Sequence, residues 1–310
     1  MNARVLVVFV DGVGLGPDDP GTNPVAAASL PAIRTLLDGA LPLLTTPPGA
    51  RDRATLVGID ATLGVDGMPQ SGTGHATLLT GRDAVRLFGR HYGPWVPTAL
   101  RPVVAEEGLL ARAKAAGARV AFANAYPEEL VERAREQGVR GRRLGQLRAG
   151  PPLAALGAGV LDRHTTALER GAAVSSEIVN DGWIQHLGRT SLPRLSPESA
   201  GENLSRIAGE NDLTLFAHYT TDLVGHRGTP EEAVAAMERV DSFLAGILEV
   251  LPDDVLLLVV SDHGNLEDVR CEHTRNPALG LVVGRGHPQV AGRIRDLTDI
   301  TPAVLDALGV

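Results

Sequence analysis

The stretch Val255-Leu256-Leu257-Leu258-Val259-Val260-Ser261-Asp262-His263-Gly264-Asn265 decides how this sequence is read. An apolar run this short, rich in Val and Leu and without polar alternation, reads as a strand buried on both faces. Such strands belong to sheets covered by helices on either side. The run ends on side chains that can bind ligands, and in open α/β sheets ligands sit beyond the carboxyl ends of strands. Alone, Asp262-His263-Gly264-Asn265 reads equally well as a turn.

The same arrangement recurs outward from this stretch. Val5–Val10 is a second buried strand and runs directly into Asp11-Gly12. Asp212–His218 is a third, followed shortly by Asp222 and His226. Three strands therefore deliver Asp and His to one sheet edge. Between them the reading predicts helices over Ser29–Leu37, with Pro31 in the first turn, over Thr73–Thr80, and over Leu109–Ala116, ended by Gly117. A strand is predicted over Arg119–Asn124. A long helix is predicted over Pro230–Val250, with Glu231 and Glu232 suiting the dipole of its first turn, and a terminal helix from Asp299 to Leu308.

This rhythm predicts an α/β fold, a three-layer α/β/α sandwich around a mostly parallel sheet. The segment 126–200 departs from it, with Arg140, Arg142, Arg143 and Arg148 beside a Gly/Pro/Ala run, and reads as a small cap insertion. The expected organisation is a core of 1–125 and 201–310 with a cap of 126–200.

Composition narrows the function classes. The chain has 310 residues, 44% of them hydrophobic and 21% charged, which is the range of a folded globular protein and excludes a disordered one. A formal net charge of -8 argues against a nucleic-acid or anionic-membrane binder, yet leaves an anionic substrate open, because dications reverse the local field. The single cysteine, Cys271, excludes an intrachain disulfide and a four-cysteine zinc site, so the expected location is the cytoplasm. Val5–Val10 is too short for a membrane span, and no small-residue cleavage site follows it. Lys114 is the only lysine, which removes any mechanism that needs a lysine nucleophile at another position.

Asp222 and His226, together with His273-Thr274, offer mixed carboxylate and imidazole ligands, which suit Zn or Mn better than the all-oxygen sets of Mg or Ca. Gln70-Ser71-Gly72-Thr73-Gly74-His75 places two hydroxyls among glycines at a loop-to-helix junction, where free backbone N–H groups favour an anion. A loop of this composition is usually only a turn.

Taken together, Val10-Asp11-Gly12-Val13-Gly14, Ser71-Gly72-Thr73-Gly74-His75, Asp222 with Gly225-His226, Ser261-Asp262-His263-Gly264-Asn265 and Glu272-His273-Thr274 resemble, in order, the alkaline-phosphatase superfamily. Within it they are similar to the branch of cofactor-independent phosphoglycerate mutases and phosphopentomutases, as is the closing Leu297–Pro302. The resemblance covers Val5 to the end, with the middle unaligned. It implies an alkaline-phosphatase-like fold with Ser71 as nucleophile and Thr73 as the competing choice. It also implies two divalent metals, Mn or Zn rather than Mg. Asp11, Asp262, His263 and the Ser71 oxygen would hold one, and Asp222, His226 and His273 the other. His75 either touches the phosphoryl group or closes its loop.

Asn23 lies at a position similar to one near the first metal loop. Arg90, His91 and Tyr92–Trp95 are weaker candidates for substrate contact, and Arg140–Arg148 for holding an anionic leaving group. Cys271, His164, His186, His218 and His287 show no partner spacing that points to chemistry.

The activity expected first is hydrolysis of a small phosphorylated metabolite. Mutase activity comes second, because the gap between Arg82 and Asp212 is too short for the inserted transferase domain of the phosphoglycerate mutases. A diesterase or sulfatase is a more distant alternative, and a metal-binding homologue without turnover is the reading from another class. Composition and motifs leave the oligomeric state open.

Overall fold

The computed structural model describes residues 3–310. Among the described residues, seven strands form one sheet: β1 (Arg4–Val10), β2 (Gly49–Ala50), β3 (Ala54–Ile59), β4 (Val120–Phe122), β5 (Leu213–His218), β6 (Val255–Val260) and β7 (Ala278–Val283). Their order across the sheet is β2-β3-β7-β6-β1-β5-β4. β4, β5, β1 and β6 are mutually parallel, β7 is antiparallel to β6, and β3 is antiparallel to β7. β3 therefore runs with β1, and only β7 and the two-residue β2 oppose the rest.

Each central strand is buried on both faces, as its unbroken apolar run requires. Val5, Val7 and Phe9 of β1 point into one apolar cluster, and Leu6, Val8 and Val10 into the other. The helices Ser71–Thr80, Arg101–Glu107, Leu109–Ala115, Gly150–Ala158 and Ile300–Leu308 cover the first face. The helices Pro197–Gly209 and Pro230–Val250 cover the second. The result is the expected three-layer α/β/α arrangement. Thr229 and Glu232 form a capping box on Pro230–Val250, which fixes where the helix starts.

Two starts differ from expectation. The helix expected from Ser29 begins at Pro31, and its free N–H groups are capped by tertiary acids instead of Ser29. Asp241 accepts from Ala32 and Ile33, and Glu238 accepts from the Ser29 amide. The helix expected from Thr73 starts two residues earlier, at Ser71, because the Gln70 carbonyl already accepts the Gly74 N–H at 2.9 Å.

The segment 126–200 packs in two ways. Val131, Ala134, Leu144, Leu147, Leu153 and Ala154 join the cluster that holds Val5, Val7 and Phe9, and so complete a helical layer. Leu168, Ala173, Trp183 and Leu192 form a small cluster apart, with Ala125. Among the described residues, no helix is long and apolar enough to cross a membrane.

Candidate metal centre

The register of the parallel strands brings the acids together. Val10 lies opposite His218, and Phe9 opposite Val260, so the residues after β1, β5 and β6 emerge at one level. Asp11 follows β1 directly, and Asp262 and His263 follow β6 after Ser261. After β5 the chain turns into the helix Thr220–Arg227, which carries Asp222 in its first turn and His226 in its last. Being i and i+4, the two side chains share a helix face. His273 reaches the same edge by a different route: β7 is antiparallel, so its amino end lies beside the carboxyl end of β6.

Ser71 occupies the first turn of a helix in which every residue is buried. Its Oγ is 3.0 Å from His263 Nε2. Gly72 is required here by close approach, since a Cβ would lie 2.2 Å from the Trp95 carbonyl oxygen. Thr73 is turned to other work. Its hydroxyl accepts the Tyr92 N–H at 3.1 Å and lies 3.4 Å from the carbonyl oxygens of Gln70 and Tyr92, so it ties the helix to the loop 90–95. His75 lies one turn deeper, with Nε2 3.2 Å from Asp11 Oδ2 and 3.3 Å from Asp262 Oδ2.

The remaining ligand-type atoms close the constellation. His263 Nε2 is 3.5 Å from both Asp11 Oδ1 and Asp262 Oδ2, and 3.9 Å from Asp222 Oδ1. His226 Nε2 is 3.4 Å from Asp222 Oδ1 and 3.0 Å from His273 Nε2. His273 Nδ1 donates to the Pro69 carbonyl at 2.6 Å, which leaves Nε2 bare toward the centre. His263 Nδ1 faces the Gly264 carbonyl at 3.3 Å, again leaving Nε2 toward the centre. This is how imidazole ligands are oriented in metal sites.

Electrostatics divide the constellation. Burial, and then the charge of Asp222, holds Asp11 well above the usual carboxylate range. Burial, and then Asp11, does the same to Asp262. Burial and neighbouring His273 push His263 down to about 3, so it is neutral and able to bind a cation. Burial also opposes ionisation of Asp222, but the hydrogen bonds from His226 and Asn265 outweigh it and lower its pKa. The same hydrogen bond to Asp222 raises His226.

Two carboxylate oxygens, Asp11 Oδ1 and Asp262 Oδ2, are buried without a hydrogen-bond partner. Unpaired buried carboxylates a few ångströms apart are strongly unfavourable unless protonated or bound to a cation. The groups Asp222, His226, His273 and Asp11, His75, Asp262, with Asp11, Asp222, His263 spanning between them, each present ligand atoms within 4.8 Å of one another. The residues fit divalent metals.

Three residues absent from the expected set frame this centre. Glu267 is fully buried, and its carboxylate accepts from the Gly14 amide at 2.9 Å, the Asn265 amide at 2.8 Å, Asn276 Nδ2 at 3.1 Å and the Thr274 hydroxyl. One carboxylate thus joins the loops that carry Asp11, Asp262 and His273. Asn265 Nδ2 donates to Asp222 Oδ1 at 2.7 Å. Ser261 Oγ accepts the Val13 N–H at 2.9 Å. Their only sequence signal was proximity to Asp262-His263, which does not reveal the distant partners.

Other candidates lie outside the constellation. Asn23 caps the helix Pro24–Ala27 by accepting from Val25 and donates to the Pro17 carbonyl. His91 faces the Val65 carbonyl at 3.3 Å. Arg90 lies over the Tyr92 ring at 6.0 Å and Arg148 over the Trp95 ring at 4.8 Å. Arg140, Arg142 and Arg143 are exposed, as is Cys271. His164 faces the Tyr126 carbonyl, His218 the Ser176 carbonyl, and His287 the Thr55 hydroxyl, while His186 is exposed.

Comparison with known proteins supplies the family. Over 128 residues the chain is 33% identical to a 2,3-bisphosphoglycerate-independent phosphoglycerate mutase of Syntrophotalea carbinolica, a match covering 38% of this chain and 25% of that one. Over 161 residues it is 30% identical to the enzyme of the same name from Paracoccus denitrificans, covering 47% and 32%. The matched region spans only about a quarter to a third of these relatives' length. Among solved structures, the PH0037 protein of Pyrococcus horikoshii shares the fold with a TM-score of 0.56 at 13% identity, covering 100% of this chain and 97% of that one. The family model described as Metalloenzyme superfamily matches residues 3–310, and with nearly the whole chain inside that match, the protein belongs to this superfamily of alkaline-phosphatase-like metalloenzymes.

Proposed function

We propose that the protein transfers phosphoryl groups of small phosphorylated metabolites through Ser71, with two divalent metals, Mn or Zn, as cofactors. The observation that carries this reading is the position of Ser71 Oγ, 3.0 Å from His263 Nε2 at a buried helix start, in a constellation where Asp11 and Asp262 each carry an unpaired oxygen. Asp11, Asp262, His263 and Ser71 would hold the inner metal, and Asp222, His226 and His273 the outer. When bound, such ions lower the pKa of a coordinated hydroxyl and neutralise charge on the transferring group.

The chain's own residues supply the rest. The dipole of the helix that begins at Ser71 would favour an anion there, while the Thr73 N–H is already given to the Tyr92 carbonyl at 2.9 Å. Ser71 Oγ gives up its proton and forms a bond to phosphorus as the substrate's ester P–O bond breaks, and the departing oxygen takes up a proton, so that the proton count is unchanged. A second acceptor then removes the phosphoryl group from Ser71. Thr73 holds the loop 90–95 against this turn. The segment 126–200, expected as the cap, carries a small apolar cluster of its own around Leu168, Ala173, Trp183 and Leu192.

The acceptor distinguishes a mutase from a hydrolase. The names of the relatives favour a mutase, in which a hydroxyl of the substrate is the acceptor, and this reverses the order expected from the sequence alone. Hydrolysis, with water as acceptor, stays as the second reading, because the relatives match over only a quarter to a third of their length. The test is incubation of the Mn- or Zn-loaded protein with 3-phosphoglycerate and with p-nitrophenyl phosphate. Positional transfer without free phosphate is expected for a mutase, release of phosphate for a hydrolase, and a phosphoseryl group at Ser71 by mass spectrometry for either. Absence of that adduct, with no turnover of either ester by metal-loaded protein, overturns the reading.

A further inference from the structure

Both nitrogens of His75 are engaged in ways that specify its tautomer. Its Nδ1 accepts the Gly150 backbone N–H at 3.2 Å. An acceptor nitrogen carries no proton, so in the neutral ring the proton resides on Nε2. Nε2 lies 3.2 Å from Asp11 Oδ2 and 3.3 Å from Asp262 Oδ2, and both carboxylates are buried. The ring is 2% exposed and stands edge-on to Phe9, with centroids 5.0 Å apart, so it has little room to rotate.

We infer that His75 is a positioning residue that neither ligates a metal nor touches the phosphoryl group. Its Nε2–H donates to Asp11 Oδ2, holding that oxygen in place beside Asp262 Oδ2 while Asp11 Oδ1 stays free for a cation. The Gly150 amide, from the segment between β4 and β5, sets this tautomer. A metal at Nε2 would require the proton to leave, and the nearest alternative acceptor, Nδ1, faces another N–H. The helix Gly150–Ala158 thereby becomes part of the metal site without supplying a ligand.

Gly150 offers a handle outside the ligand set. A Cβ there would lie 2.5 Å from His75 Cβ and 2.8 Å from Leu79 Cδ1, so even alanine displaces the ring. This inference rests on the two-metal reading for its consequence, but the tautomer can be read from the metal-free protein.

The experiment combines two measurements. In a 15N–1H spectrum of the histidine rings of the metal-free protein, the His75 resonance, assigned by its loss in His75→Gln, should show a protonated Nε2 and a bare Nδ1. Mn and Zn titrations of wild type, His75→Ala, His75→Gln and Gly150→Ala should then show two sites in each. The affinity of one site should fall about 10- to 100-fold in His75→Ala and Gly150→Ala, and recover in part in His75→Gln, whose amide can still donate. Circular dichroism of the metal-free variants checks folding, and Gly150→Ala carries the test if His75→Ala does not fold. A protonated Nδ1, unchanged affinity in folded Gly150→Ala and His75→Gln, or loss of one whole metal equivalent in His75→Gln overturns the assignment, the last by making His75 a ligand. A wild-type protein that binds no metal, with the tautomer as stated, refutes the two-metal reading and leaves the hydrogen-bond assignment standing.

Discussion

The inner and outer halves of the centre use the same two residue types and arrive at opposite electrostatics. Asp11 and Asp262 lie at the buried floor with His75 and His263, and like charge plus burial pushes both carboxyls up. Asp222 and His226, more exposed, neutralise one another: the carboxyl is lowered and the imidazole raised. The sheet explains the difference. Asp11 and Asp262 follow adjacent strands directly and cannot separate, whereas Asp222 rides on a helix beside a histidine four residues on. A cation entering the inner half relieves a repulsion, while one entering the outer half must break an ion pair. The inner half is therefore expected to hold its metal more tightly.

The largest expected effect falls on the nucleophile. Ser71→Ala should lower turnover by roughly 10³-fold or more while metal content stays at about two per chain, checked by steady-state rates beside metal analysis. Retained turnover would move the chemistry away from the inner half. Next, His273→Ala should remove the outer metal alone, leaving about one per chain. Loss of both, or of neither, would break the division into halves.

The pH dependence sharpens it. His226 is raised by Asp222, so below its pKa a proton competes for the outer site, and affinity there should weaken about tenfold per pH unit on acidification, as metal titrations would show. In the metal-free protein, Asp11 and Asp262 bind protons more tightly folded than unfolded. The stability they contribute is therefore full below the ordinary carboxylate range and lost as pH rises through their raised values. Metal-free Asp262→Asn should melt above metal-free wild type at pH 8, by about 3 °C, with the gap closing toward pH 4. A wild type that melts higher at pH 8 would contradict the repulsion. The smallest effect is expected for Thr73→Ala: a loss of about 1–2 kcal/mol in denaturant melts from the broken tie to Tyr92, with turnover within about threefold.

Much of this architecture is legible in the amino-acid sequence. The runs Val5–Val10 and Val255–Val260 announce buried strands because a strand covered on both faces has no polar alternation, and Asp11 and Asp262 sit where such strands end. β3 and β7 escaped that reading. Their stretches Ala54–Ile59 and Ala278–Val283 are interrupted by Thr55, Gly58 and Gly280, which weakens the apolar signal. The capping of the helix at Pro31 by Asp241 was also out of reach, since a cap more than two hundred residues away leaves no local trace. The register of Ser71 in its helix turned on one backbone hydrogen bond, from Gly74 to Gln70, that composition does not encode.

What the amino-acid sequence determined by itself is the chemistry on offer: which strand ends carry Asp and His, a hydroxyl among glycines, and no competing lysine or cysteine pair. Those are local properties, set by apolar period and by neighbours a few positions away. Tertiary structure decided the rest. It ran β7 against the sheet so that His273 meets Asp222, placed Glu267 beneath three loops, and brought Gly150 to His75 across 75 residues. The physical reason is that a hydrogen bond between distant segments depends on register and packing across the whole sheet, which no single stretch of the chain contains.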